Sequence, residues 1–132
     1  MSTLATIPTL GLALSVAACG GAGAVLRALL IHHIAIGRAD PLPMGTMIVN
    51  ASGSLILGVL TGLSLYHGLG PPALSSLGVG FCGGYTTWST ASWESVHLAR
   101  SGHRQAALTY TFGALAVCLL ANAAGLGLAA LA

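Results

Sequence analysis

The sequence predicts an all-α integral membrane protein with four transmembrane helices in each subunit. Only six of its 132 residues carry a formal charge, which is 5% of the chain against about 25% in a soluble domain. Apolar residues make up 55% of the chain, and lysine is absent. A surface so poor in charge is expected to face lipid. The length suffices for one transmembrane domain, 1–132, and not for two.

Four stretches are long and apolar enough to cross a bilayer core, which takes about 20 helical residues. They run over about 7–31, 44–66, 73–97 and 106–132. The links between them are short, which favours antiparallel neighbours in a compact bundle. In the first link, Asp40-Pro41 is suited to cap a short helical entry to the second span.

The first span contains one motif that resembles a processing site and one charge. Val16 to Cys19 resembles a lipoprotein cleavage box, but residues 1–26 contain no Lys or Arg and the apolar run continues to Ile31. A secretory signal needs a positively charged start, so the lipoprotein interpretation is disfavoured. Arg27 lies about a turn from the end of the span, which favours a structural or interfacial anchor over a substrate contact.

The second span has a polar stripe on an otherwise apolar helix. Thr46, Asn50 and Ser54 recur at a spacing of four, which places them on one face. A carboxamide in mid-membrane either joins helices or lines a wet path, and for Asn50 alone the two interpretations are evenly matched. The whole stripe favours a path.

The third span is the least regular. From Gly80 to Thr90 it has two adjacent glycines, Gly83 and Gly84, followed by β-branched and hydroxyl residues. These residues weaken a helix and predict a functional break near its middle. A break in the membrane frees backbone groups that must be buried in protein or line a site. Freed carbonyls suit a hard cation, whereas amides and hydroxyls suit an anion.

After the predicted break, Thr86, Thr90 and Glu94 share one helix face. Glu94 is the only carboxylate within a predicted span, and acids inside a membrane are functional candidates. A structural alternative is equally open, in which Glu94 pairs with Arg27 or Arg100.

Small residues predict close helix packing in lipid. Two pairs have GxxxG spacing, and for Gly58 and Gly62 close packing is the preferred explanation, whereas Gly80 and Gly84 belong to the irregular span. The three cysteines are predicted to be small buried thiols and not a disulfide or metal set. The five histidines lie near span ends or in links, without metal-ligand clustering.

Several classes of function find no support in the residues. The net charge of +2, without a basic run, does not suggest nucleic acid binding. No nucleophile–base pair, paired carboxylates or phosphate-binding loop is present, so an enzyme is not expected. From the residues alone, a small channel, a transporter and a membrane assembly protein remain open.

The arginines of the links are distributed on one side. The first and third links hold Arg38, Arg100 and Arg104, whereas the second link and both termini hold none. The positive-inside rule therefore predicts that the first and third links are cytoplasmic and that both termini lie outside.

Three segments resemble the CrcB/Fluc family of small fluoride channels. Gly20 to Arg27 resembles the first-helix signature of that family, and Gly45 to Ser54 resembles the second. Gly80 to Thr90, continuing to Glu94, resembles the third and is the most specific. The resemblance covers most of the first three spans, whereas the fourth adds little beyond its length and Tyr110.

The resemblance implies an antiparallel dimer with two fluoride paths along its interface. It also implies a multi-pass protein of the bacterial plasma membrane that exports fluoride passively and lowers its toxicity. A structural sodium ion would be held on the dimer axis by the backbone carbonyls of Gly83 and Thr86. The positions that match the fluoride path are Asn50, Trp88, Ser89, Thr90 and Glu94.

The sequence departs from the family pattern at one aromatic position. The family has two aromatic residues three positions apart, and here the first is Trp88 but the second is Ala91. Trp93 is close in sequence but points elsewhere on a helix. The missing ring and the one-sided arginines predict an alternative, a heterodimer in which an oppositely oriented homologue supplies the aromatic. A small dual-topology transporter is disfavoured, since the first span has Arg27 and no acid.

Overall fold

The computed structural model describes residues 10–37 and 42–132, and they are almost entirely helical, without a strand. The helices are α1 (Leu10–Ala35), α2 (Met44–His67), α3 (Pro71–Leu74), α4 (Gly83–Tyr85), α5 (Trp88–Arg100) and α6 (Arg104–Leu131). A π-helical segment, Ser75–Cys82, joins α3 to α4 without interruption. The all-α class predicted from composition is confirmed.

Three helices of the described residues are long and apolar enough to cross a membrane: α1, α2 and α6. They correspond to the predicted spans 7–31, 44–66 and 106–132, although residues 7–9 lie outside the described part. The predicted span 73–97 is not one long helix. It is divided between the helical run that ends at Tyr85 and helix α5, and residues Thr86 and Thr87 between them are extended.

The described links are tight turns closed by glycine. Gly68 ends α2 in the left-handed region, at φ 72°, and its amide donates to the carbonyl of Leu63. Gly102 has φ 87° in the turn between α5 and α6. Glycine takes this conformation without the steric penalty that a Cβ atom would bring. The predicted cap at Asp40-Pro41 lies outside the described residues, and Pro43 precedes α2 without a side-chain cap.

Helices α2 and α6 form the largest contact in the molecule, and glycine makes it possible. A Cβ atom added to Gly58 would overlap the carbonyl of Asn122, and one added to Gly125 would overlap the carbonyl of Leu55. A Cβ on Gly62 would lie 2.5 Å from that of Ala129. Close packing, predicted for Gly58 and Gly62, is therefore what the structure shows.

Helix α1 packs against the π-helical segment and α4 in the same way. A Cβ on Gly84 would overlap the carbonyl of Gly20, and one on Gly23 would overlap that of Phe81. Gly80 comes equally close to α1, because its Cβ would lie 2.7 Å from the carbonyl oxygen of Val16. Gly80 and Gly84 therefore serve packing onto α1.

The surface is apolar, as expected for a protein in lipid. Many large hydrophobic side chains are exposed along the three long helices, among them Leu14, Leu29, Leu119 and Leu120. The cysteines are free thiols, but only Cys82 is buried, and Cys19 and Cys118 are half-buried. The prediction of three buried thiols was therefore right for Cys82 alone.

Candidate functional site

The helical run ends at two extended residues deep in the bundle. Thr86 has φ −83° and ψ 161°, and Thr87 has φ −147° and ψ 117°. The Thr86 amide and hydroxyl both donate to the Cys82 carbonyl, at 2.9 Å and 2.8 Å. Gly83 and Gly84, which predicted the irregularity, are themselves helical. The chain leaves the helix at the β-branched residues, where side chains of other helices bind the Thr86 carbonyl and both backbone groups of Thr87.

Arg27 of α1 binds the first extended residue. Its Nη1 donates to the Thr86 carbonyl across 3.1 Å. Arg27 was expected to be a structural or interfacial anchor, and the partner that it contacts is a backbone carbonyl. Neither arginine proposed for Glu94 pairs with it: among the described residues no ion pair involves this carboxylate.

Asn50 of α2 binds the second extended residue at both of its backbone groups. The Asn50 Nδ2 donates to the Thr87 carbonyl at 2.9 Å, and the Thr87 amide donates to the Asn50 Oδ1 at 2.7 Å. The carboxamide thus pairs with Thr87 as a neighbouring strand would. A stripe residue predicted to line a path therefore also joins helices.

The side chain of Thr87 starts helix α5. Its hydroxyl accepts from the Thr90 amide at 3.2 Å, which is an N-cap bond, and donates to the Thr90 hydroxyl at 2.9 Å. The Ser89 hydroxyl lies 3.3 Å from the same oxygen. Sequence reasoning missed this role of Thr87, although a threonine before a helix is a capping signal. Ser89 and Thr90, both predicted path residues, are brought together at this one hydroxyl.

Glu94 lies in a separate network near the middle of α5. Its two carboxylate oxygens accept from the Thr46 hydroxyl and the Tyr110 hydroxyl, each at 2.8 Å. Thr46 is 1% exposed and Tyr110 is 4% exposed, so both donors are buried. Each carboxylate oxygen therefore has a buried hydroxyl donor of its own. The second span supplies Thr46, and the fourth supplies Tyr110.

A groove of about 570 Å³ runs along α2, α5 and α6 beside the extended residues. Its lining is mainly apolar and includes Leu57, Phe112 and Leu115. Of the predicted site residues, the groove is lined by Asn50, Gly83, Thr86 and Trp88. Ala91, which stands where the family pattern has a second aromatic residue, lines it as well. Ser89, Thr90 and Glu94 do not line it. The stripe residue Ser54 does, whereas Thr46 is turned to Glu94.

The two tryptophans of α5 have different surroundings. Trp88 lines the groove and is 80% exposed. Trp93 does not line it, and its ring stacks on that of His97 with centroids 4.9 Å apart. The expectation that Trp93 points away from the site of the missing ring is therefore confirmed.

Two carbonyl groups at the break fit the expected cation ligands. In a continuous helix the Thr87 amide would donate to the Gly83 carbonyl, but here it donates to Asn50. Gly83 is exposed and no atom lies within 4 Å of where its Cβ would be. The Thr86 carbonyl accepts from Arg27, but a carbonyl oxygen has two lone pairs. Both residues can therefore offer an oxygen to a hard cation.

The sequence is similar to a known protein family and to several named relatives. Residues 14–126 match the family model for "CrcB-like protein, Camphor Resistance (CrcB)". The chain is 47% identical over 116 residues to "Fluoride-specific ion channel FluC 1" of Leifsonia xyli, which covers 87% of this chain and 82% of the relative. It is 41% identical over 110 residues to FluC 2 of Cutibacterium acnes, covering 83% and 89%. A FluC of Nitrobacter winogradskyi is 37% identical over 114 residues, covering 86% and 90%.

Proposed function

The chain belongs to the CrcB family, whose relatives are named as fluoride-specific ion channels, and we propose that it is itself a fluoride-selective channel subunit. It is a multi-pass membrane protein and not an enzyme. Its action would be passive export of fluoride from the cytoplasm across the bacterial plasma membrane. Such export lowers the toxicity of fluoride trapped inside the cell.

The observation that carries the proposal is the break at Thr86 and Thr87 beside the groove. Fluoride holds its hydration water tightly, so a selective path needs strong donors that replace the water. Hydroxyl groups of Ser89 and Thr90 and the indole N–H of Trp88 are such donors. The positive edge of the Trp88 ring adds to them. Such groups would serve an anion and would be costly in a plain lipid-facing helix.

In this proposal the predicted third span also crosses the membrane, as two half-helices that meet at the break. The chain then crosses the membrane four times. The residues 71–85 and α5 together span about the length of the other crossings. In a subunit whose termini lie outside, the Arg100–Arg104 turn lies in the cytoplasm. Glu94 then lies near the cytoplasmic end of the proposed path.

The groove supports assembly into an antiparallel dimer with two paths along its interface. The indole N–H of the exposed Trp88 is poorly suited to face lipid tails alone. A second subunit would cover Trp88, the groove and the extended residues together. Two copies related by a twofold axis would form two equivalent paths.

The proposed structural cofactor is a sodium ion held by backbone carbonyls. Gly83 and Thr86 would hold it, because both can offer an oxygen near the exposed face of the break. A bound cation would neutralise carbonyl dipoles at this end of the helical run.

Fluoride efflux from liposomes containing the purified chain tests the proposal. Fluoride loss, read with a fluoride electrode, should be fast, whereas chloride loss should not exceed that of empty liposomes. The control is Asn122→Ala, which removes a membrane amide that does not bond the extended residues. This variant should lose fluoride as fast as the unmodified chain. Absence of fluoride loss from well-folded dimers would contradict self-sufficient conduction.

A second candidate is a heterodimeric channel in which this chain does not conduct alone. Ala91 lies in the groove where the family pattern has a second aromatic residue. The one-sided arginines also favour a fixed orientation, which an antiparallel homodimer cannot have. Tags on both termini, probed from each side of the membrane, test it. An even distribution between both orientations would exclude this candidate.

A further inference from the structure

The structure contains two asparagines within membrane-spanning helices, and they are used differently. Asn122 of α6 makes one bond, from its Nδ2 to the Ser54 carbonyl at 3.1 Å, on regular helix backbone. Asn50 makes two bonds, to the amide and to the carbonyl of one extended residue. Of the side chains, only a carboxamide carries an acceptor and a donor in the arrangement of a peptide group.

All four backbone groups of the extended pair have partners. The Thr86 amide bonds Cys82, the Thr86 carbonyl bonds Arg27, and both groups of Thr87 bond Asn50. Without these side chains, three backbone groups would be unpaired in an environment that offers little water. Such groups are tolerated in membranes only when something satisfies them.

The position of Thr87 determines where the hydroxyls of α5 lie. The Thr87 hydroxyl binds the Thr90 amide and hydroxyl and lies 3.3 Å from that of Ser89. A displacement of Thr87 would move the start of α5 and both hydroxyls. The chain of contacts therefore runs from Asn50, through the backbone of Thr87, to Ser89 and Thr90.

We propose that Asn50 is a positioning residue, which fixes the break through the Thr87 backbone and so aligns the α5 hydroxyls. It contributes to conduction through this placement. Its Nδ2 carries two N–H groups and donates only one of them to Thr87, so this role leaves the other N–H available to a further acceptor. The inference rests on the proposed function for its consequence in conduction, but the bonding itself can be tested independently.

Exchange of the Thr87 amide with deuterium, resolved to single residues in nanodiscs, tests the bonding. Asn50→Ala removes both partners of Thr87, and the amide should exchange about tenfold faster or more. Asn50→Asp keeps an oxygen acceptor for the amide but loses the donor to the Thr87 carbonyl, so the Thr87 amide should stay clearly more protected than in Asn50→Ala. If Asn50 acted only through packing, the Thr87 amide would exchange equally fast in Asn50→Asp and in Asn50→Ala.

Asn122→Ala is the matched control, and it should leave Thr87 exchange unchanged. Amides of α6 report on global unfolding, and their exchange should be equal in all variants. If Asn50→Ala unfolds the chain, the comparison of Asn50→Asp with the unmodified chain still tests the bond to the amide. Rapid exchange of Thr87 in Asn50→Asp would overturn the proposal.

Fluoride efflux from the same preparations separates this inference from the proposed function. Fast Thr87 exchange and lost efflux in Asn50→Ala would support both. Unchanged Thr87 exchange together with lost efflux in Asn50→Ala would overturn the positioning role but would not contradict the proposed channel function. Fast exchange in Asn50→Ala, with no efflux even from the unmodified chain, would support the positioning role and contradict the proposed function.

Discussion

Helix α2 is held to the rest of the molecule by two different kinds of contact. Toward α6 it meets regular helix, and glycines let the two backbones touch. Toward the extended residues it meets irregular backbone, which Asn50 binds, and toward α5 Thr46 binds the Glu94 carboxylate. The first contact depends on the absence of side-chain atoms, and the second depends on particular polar atoms. A regular helix satisfies its own backbone, whereas a break needs partners from elsewhere.

The largest expected loss of stability comes from a substitution that disrupts the glycine contact between α2 and α6. Gly125→Ala should destabilise the folded chain by about 1–3 kcal/mol or more, because the new Cβ meets the backbone of Leu55 and lies 2.9 Å from the Val59 amide. Gly127→Ala, two residues further along α6, should have little effect, since nothing lies within 4 Å. Unfolding by SDS titration in mixed micelles measures both. Equal changes in the two variants would mean that the close approach at Gly125 does not determine the stability.

The next effect breaks the polar contact at the first extended residue. Arg27→Ala leaves the Thr86 carbonyl without its charged donor, which should cost about 1.5–3 kcal/mol and reduce fluoride efflux by at least about tenfold. Arg27→Gln keeps an N–H donor without the charge and should have an intermediate effect. Efflux and SDS titration on the same preparations measure the two consequences. Full activity and stability in Arg27→Ala would show that this bond is dispensable.

A smaller effect concerns the network around Glu94. Tyr110→Phe removes one of two hydroxyl donors and should destabilise the chain by about 1 kcal/mol. A double-mutant cycle with Glu94→Gln should give a coupling energy of about 0.5–3 kcal/mol, since the two groups share one hydrogen bond. Additive losses, measured by SDS titration, would argue that Tyr110 stabilises α6 by packing alone.

The smallest expected effect is a gain. Ala91→Phe adds a ring edge inside the groove, and fluoride efflux from the chain alone should rise by up to about tenfold. Ala114→Phe, which adds the same ring to the groove from α6, is the matched control and should not increase efflux. A rise in both variants would point to better subunit packing. No rise in either would weaken the heterodimer alternative.

The sequence was sufficient for the helices and for the region of the irregularity, but not for its position. Glycines and β-branched residues between Gly80 and Thr90 predicted weak helix, yet Gly83 and Gly84 stay helical because Gly84 packs on Gly20. The extended residues come one turn later. Local propensity limits where a helix is weak, but tertiary partners select the residues that leave it.

The sequence predicted which residues belong to the candidate site, but it did not predict which hydrogen bonds they make. Asn50, Trp88 and Thr86 were named, and the structure places them around one groove. The roles of Thr87 and Thr46 were missed, and the suggested partners of Glu94 were wrong. The N-cap at Thr87 is local and its signal was available in the sequence. The remaining bonds join separate helices and had no local signal.

The sequence by itself determined that the chain is helical, lies in a membrane and resembles one family, because composition and short motifs encode these properties locally. Only the tertiary structure decided which groups meet. The Arg27 bond spans 59 residues, the Thr46 bond to Glu94 spans 48, and the Asn50 bonds span 37. Such pairings depend on how closely the helices approach and how they are rotated. Glycines buried between the helices set that approach, and their effect appears only when the helices pack together.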